Sequence, residues 1–152
     1  MDLSLAATSL SRAAYYQTPS FNTMNFSSGK VIFATRVKVT AYVAGNFHFF
    51  FGFGDSVSSS SRDAVYVEWI NLASTSSRFR CISINNFSTG VINETTPTAP
   101  VLNTWYTLVA EIDVSVPSIK FYINGTLAGE NTNIGTMPTA SDRLSTFFEG
   151  GS

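Results

Sequence analysis

The chain has 152 residues, of which 44% are hydrophobic and only 12% charged, with a net charge of −1. That length suits one domain with a substantial core, and the near-neutral balance excludes the basic footprint that nucleic acid or anionic lipid requires. Ser, Thr and Asn make up roughly a third of the residues, well above ordinary usage, so polarity comes from hydroxyls and amides rather than from ions.

Residues 3–16 lean toward a strand or an extended arm, since Ser, Thr and two Tyr disfavour helix. Residues 1–25 are therefore expected to form an N-terminal arm or first strands, with one sandwich over residues 26–152. Pro19 and the Ser27-Ser28-Gly29 turn frame a loop. Val31, Phe33, Thr35, Val37 and Val39 then alternate with Ile32, Ala34, Arg36, Lys38 and Thr40, a strand with one wetter face. In residues 47–53 (F-H-F-F-F-G-F) both sides are largely apolar, which predicts a central strand. Gly52 and Gly54 mark a bulge or a close backbone approach. A serine-rich loop, residues 56–61, precedes strands over residues 64–72 and 78–85. Pro97 and Pro100 bracket the next loop, and Pro138 should stop any strand running past Ile134.

Residues 105–129 carry the clearest pattern. Tyr106, Leu108, Ala110, Ile112 and Val114 share one face, and Trp105, Thr107, Glu111 and Asp113 the other, a period of two that belongs to a strand. Asn124-Gly125 between two apolar strands is a strong hairpin signal, because both turn residues must take positive φ. The segment predicts three consecutive antiparallel strands, and the whole chain predicts an all-β sandwich.

In order, these residues resemble the concanavalin A-like lectin/laminin G-like jelly roll. The matching pieces are Leu3-Ser4-Leu5 with Ala14-Tyr15-Tyr16, residues 29–39, Phe51-Gly52-Phe53-Gly54-Asp55, residues 64–70 and 78–84, Asn103-Thr104-Trp105-Tyr106, residues 119–127 and residues 144–151. The resemblance implies an antiparallel two-sheet jelly-roll sandwich. Such modules usually continue past the last piece with another strand beside the first. Ending at Ser152, this chain is expected to borrow that strand from a neighbour, to leave its first strands as an open edge, or to be a fragment. An open edge favours association, so copies of itself are expected partners.

Catalytic signals are weak. The resembled fold houses glycosidases with E-x-D-x-x-E on a strand, where two carboxylates act together. The corresponding V-Y-V-E-W-I-N-L has the lone acid Glu68. Glu111 and Asp113 share a face with no third acid and read as a solvent face. His48, the single histidine, sits inside a phenylalanine strand and reads as a packed, hydrogen-bonded residue; one imidazole cannot build a zinc site. Cys81 cannot form an internal disulfide and reads as a small buried hydrophobe. Arg78 and Arg80 read as a solvated strand face. No cofactor is expected. The resemblance permits calcium through oxygen donors, with Asp55, Asp63 and Asp142 as candidates at no diagnostic spacing. Four N-x-S/T sequons, at Asn25, Asn86, Asn93 and Asn124, match the chance expectation for this composition.

A sugar site needs an aromatic face with amide or carboxylate partners. Trp69, Tyr66, Asp55 and Asn71 are the candidates on residues 65–72 and the adjoining loop, against the reading that Trp69 fills the core. Trp105 reads as structural, since it starts a strand. The start M-D-L-S-L-A-A-T-S-L places an acid where a signal peptide has bases, and no apolar run reaches the roughly 18 residues of a membrane span. Composition and resemblance together suggest a non-enzymatic protein of a phage particle, such as a capsid decoration, cement or fibre component. It would be made in the host cytoplasm and displayed on the virion surface among other virion proteins. The alternative is a carbohydrate-binding module or adhesin head that takes glycans. Neither a nucleic-acid nor a membrane partner is expected.

Overall fold

A computed structural model describes residues 12–16, 24–25, 29–41, 46–55, 63–72, 77–86, 88–93, 99–139 and 143–151. The expectations for residues 3–5, the serine-rich loop 56–61, Pro97 and Asp142 lie outside them. The described residues form strands β1 (Arg12–Tyr16), β2 (Met24–Asn25), β3 (Lys30–Val37), β4 (Asn46–Gly54), β5 (Ala64–Leu72) and β6 (Arg78–Asn85). They continue as β7 (Ser88–Asn93), β8 (Tyr106–Asp113), β9 (Ser118–Ile123), β10 (Thr126–Asn131) and β11 (Arg143–Gly151), with a short 3-10 turn at Ile134–Thr136.

Every pairing is antiparallel. The larger sheet runs β1-β11-β4-β5-β6-β7, with β2 also on β11; the smaller runs β10-β9-β8-β3. The phenylalanine strand β4 is central, as its two apolar sides require. The last strand, β11, itself lies beside the first, with Ala14 opposite Glu149. No strand need be borrowed for that place, and β1 and β7 are the two edges of the sheet among the described residues.

Strand β8 keeps its alternation: Tyr106, Leu108, Ala110 and Ile112 are buried, while Thr107, Glu111 and Asp113 face outward. Asn124 (φ 50°) and Gly125 (φ 80°) turn β9 into β10, both left-handed as that two-residue turn demands. The β8–β9 turn is closed by the Asp113 carboxylate. It accepts from Ser115 Oγ at 2.6 Å, Ser115 N at 3.0 Å and Val116 N at 3.2 Å. The Ser115 hydroxyl first, then the Val116 amide, hold this carboxyl below its ordinary range.

The core between the sheets joins Phe47, Phe51, Phe53, Val65, Val67, Trp69, Phe79 and Cys81 to Phe33, Tyr106, Leu108, Ile112, Ile119 and Phe121. Burial pushes the Cys81 thiol up to about 12, so it stays a protonated hydrophobe. Trp69 is fully enclosed, edge-on to Phe47 (6.0 Å, 86°) and Tyr106 (5.9 Å, 74°). Its indole N–H donates to Ser77 Oγ at 2.9 Å. That bond lets so large a polar-tipped ring sit in a dry core.

The outer face of the larger sheet is also covered at its centre. Phe50, Ala64, Tyr66, Ile82 and Ile84 form a second buried cluster, so β5 is buried on both sides from Ala64 to Ile70. Gly52 stands opposite Tyr66 in the register. A Cβ there would collide with the Val65 carbonyl oxygen and lie 2.6 Å from Tyr66 Cα. Gly52→Ala is therefore expected to lower unfolding stability by roughly 2–4 kcal/mol, as overpacking against backbone does. Urea denaturation checks this, and a loss below about 0.5 kcal/mol, the range of neutral surface changes, would contradict the close approach.

Candidate functional site

Two residues apart on a strand means the same face, three apart means opposite faces. Tyr66 and Trp69 therefore point away from each other, and the four proposed sugar contacts do not converge. Trp69 is in the core with no exposed surface, and Tyr66 is buried on the outer face, edge-on to Phe50 at 5.5 Å. Asp55 follows Gly54, which pairs with Ala64, whereas Asn71 pairs with Phe47 at the other end of the strands. Seven residues of strand, about 23 Å at the usual rise, separate those ends. Trp69 fills the core and is no sugar platform, and Asp55 and Asn71 cannot share one monosaccharide.

The calcium candidates also have structural roles. Asp55 N donates to the Asp63 carbonyl at 3.1 Å, and the Asp63 carboxylate accepts from Asn86 N at 2.8 Å. Among the described residues no three metal-ligating side chains cluster. Glu111 receives Lys30 Nζ at 2.7 Å, and Asp113 closes its turn, so the E-I-D pair belongs to the outer surface of the smaller sheet.

The concentration of polar chemistry lies elsewhere, on the outer face of the larger sheet. Glu68 on β5 stands opposite Phe50 on β4 and Arg80 on β6, and His48 lies one step along β4 opposite Ile70. Only 1% of the Glu68 side chain is exposed. A carboxylate so buried needs partners on both oxygens, and it has them. His48 Nδ1 lies 2.8 Å from Oε1, and Arg80 Nε donates to Oε2 at 2.6 Å. The Arg80 guanidinium approaches Oε2 through a terminal nitrogen as well. An ionised carboxylate only accepts, so Nδ1 is the donor and the second imidazole nitrogen, Nε2, is left for other partners. The ring also lies nearly parallel to Phe50 (13°, 5.8 Å).

One acid thus ties three strands together. It leaves 35% of the His48 side chain and 26% of that of Arg80 exposed. Arg78, half-buried, is on the same face opposite Ile70. Arg80 is a paired group and not the solvated charge expected of it. His48 is packed and hydrogen-bonded, as its setting in β4 implied. The sequence does place Glu68 and Arg80 outward on consecutive strands, but their opposition depends on the register, which the intervening loop fixes.

Chemically, this arrangement offers fixed hydrogen-bond donors and acceptors and no evident nucleophile. Cys81 has the opposite parity, inside the core. The neighbours of Glu68 on its own face of β5 are Tyr66 and Ile70, so that strand supplies one carboxylate. The backbone register sets Glu149 two strands away from Glu68, through Phe50, about 9.5 Å between Cα atoms at ordinary strand spacing.

No family model and no curated protein matches the sequence. Solved structures match the fold. The Emp47p carbohydrate recognition domain superposes with a TM-score of 0.67 at 8% identity, over 97% of this chain and 72% of that one. Sheep galectin-11, solved with glycerol, gives 0.56 at 10% identity, over 88% and 87%. A Bacillus licheniformis β-glucanase gives 0.55 at 16% identity, over 94% of this chain and 66% of the enzyme, just under two thirds of its length. The chain has the concanavalin A-like jelly-roll sandwich, a fold that occurs in lectins, carbohydrate-binding modules and glycosidases alike.

Removing one partner from a buried pair leaves an uncompensated charge. Arg80→Met is accordingly expected to cost roughly 2–4 kcal/mol, reduced from the fully buried case by the exposure of Arg80 and the remaining bond to His48. Adding Glu68→Gln should recover at least half. Equal urea midpoints for wild type and Arg80→Met would show that the carboxylate does not depend on Arg80.

Proposed function

We propose that this chain is a non-catalytic carbohydrate-binding module whose contact surface is the outer face of the larger sheet around His48, Glu68 and Arg80. The observation that carries this reading is the buried carboxylate that clamps an imidazole 35% exposed and a guanidinium 26% exposed. Sugar hydroxyls both donate and accept, and here they meet an imidazole nitrogen and guanidinium N–H groups already held in place. Groups pinned by a neighbour lose little freedom on binding, which is the advantage of preorganisation. The shared fold of carbohydrate recognition domains supports the same reading by analogy.

Hydrolysis is disfavoured on chemical grounds. It requires an acid free to give up or accept a proton alongside a second carboxylate, and Glu68 is held by Arg80 and His48. Display on a phage particle, suggested by composition, is a proposal about where such a module works and is compatible with glycan contact.

The test is a glycan array with wild type and His48→Ala, followed by calorimetry on the best ligand. His48 is partly exposed and not a core residue, so the variant should fold. At least a tenfold loss of affinity is expected, together with no turnover of β-glucans; the unfolding midpoint should fall no further than in Arg80→Met, because Arg80 still pairs with Glu68. Absence of any glycan ligand, or equal binding by His48→Ala, would overturn the site; measurable turnover would overturn the non-catalytic reading.

A further inference from the structure

The outer face of the smaller sheet carries a second feature. Its side chains are the even residues of β3 and the odd residues of β8, set by the register Arg36↔Thr107 and Val37↔Tyr106. Continuing that register by one residue brings Trp105 opposite Lys38. The alternation of residues 105–113 already placed Trp105 on the outward face, and 49% of the residue is exposed. It stands just before β8, on the outer face and not in the core. The Arg36 guanidinium carbon lies 4.9 Å from the indole centroid and Lys38 Nζ 5.1 Å from it.

The charges on this face are not distributed evenly. Lys30 is paired with Glu111 at 2.7 Å and Lys120 with Glu130 at 3.7 Å. Among the described residues, Arg36 and Lys38 have the Trp105 ring and no carboxylate. In a chain of nine cations and ten anions, two neighbouring exposed cations without acidic partners, flanking an exposed indole, form a local positive spot with an apolar centre.

We infer that Trp105, Arg36 and Lys38 form a second ligand site, on the opposite outer face from Glu68, that takes an acidic saccharide bearing sulfate or carboxylate. The part of the indole that the two cations leave uncovered, in a residue 49% exposed, offers an apolar surface for the C–H face of a pyranose ring. Arg36 offers a planar fork matched to the paired oxygens of a sulfate or carboxylate, and Lys38 a mobile point charge. The cations also restrain the ring, so the platform is present before the ligand arrives. Single-stranded nucleic acid would need successive stacking platforms along a basic groove, and here there is one indole on a chain of net charge −1. The site stands independently of the one around Glu68, because the two lie on opposite outer faces of the sandwich.

The chain's two tryptophans make the test direct, since Trp69 is enclosed and Trp105 is exposed. Fluorescence titration and calorimetry would use a heparin-derived hexasaccharide, an oligogalacturonate hexasaccharide, neutral cellohexaose and an oligothymidylate, with wild type, Arg36→Gln/Lys38→Gln and Trp105→Ala. At least one acidic hexasaccharide should quench or shift the exposed tryptophan and bind at least tenfold more tightly than cellohexaose. Its affinity should fall at least tenfold in either variant and weaken as salt rises. The sulfated and carboxylated arms distinguish the two anion sources. No acidic binding, equal binding of neutral and acidic hexasaccharides, undiminished binding by folded Arg36→Gln/Lys38→Gln, or tighter binding of the oligothymidylate would each overturn the assignment.

Discussion

The structure turns on one constraint: strand β5 is buried on both faces, and one of its buried side chains is a carboxylate. On the inner side Val65, Val67 and Trp69 meet the smaller sheet. On the outer side Ala64 and Tyr66 join Phe50, Ile82 and Ile84. Glu68 lies in that outer row and cannot be solvated there, so strands on both sides must supply donors. His48 from β4 and Arg80 from β6 do so. The same crowding explains Gly52, since the backbone of β4 approaches Val65 and Tyr66 too closely for a side chain. Packing and polar pairing at this strand therefore specify one register of β4, β5 and β6 against its slips.

A sandwich places two outer faces back to back, and this chain uses them differently. The larger sheet presents a clamped, mostly buried network whose edges reach solvent. The smaller presents a ladder of ion pairs that ends in an exposed indole with two cations against its ring. Because solved structures with this fold include both lectins and glycosidases, fold alone leaves function open, and the side chains on these faces carry the argument. On β5 the single acid is held by a guanidinium and an imidazole. That suits steady hydrogen bonding better than proton transfer.

The fold was legible wherever one face was dry and the other wet. Strands β8 to β10 and the Asn124-Gly125 turn follow from alternation and from the need for positive φ. The central position of β4 follows from phenylalanines on both sides. The placement of β11 beside β1 was not legible, because pairing between chain ends has no local signal. The ligand residues were legible only in part. Parity alone separates Tyr66 from Trp69 and puts Trp105 on the wet face, and Trp69 fills the core, the reading set against the sugar site in the sequence. The meeting of His48, Glu68 and Arg80 needs the registers of two hairpins, and the loops that set them are rich in Ser and carry no turn signature that fixes an offset.

The central claim is that Glu68 is clamped from both sides, with the imidazole donating through Nδ1. This chain has one histidine, so long-range nitrogen–proton correlation NMR reads its tautomer without assignment. When the ring is neutral and carries one proton, the Nδ1–H form is expected, with that proton protected from exchange. The Nε2–H form, or a rapidly exchanging mixture of the two, would contradict the clamp.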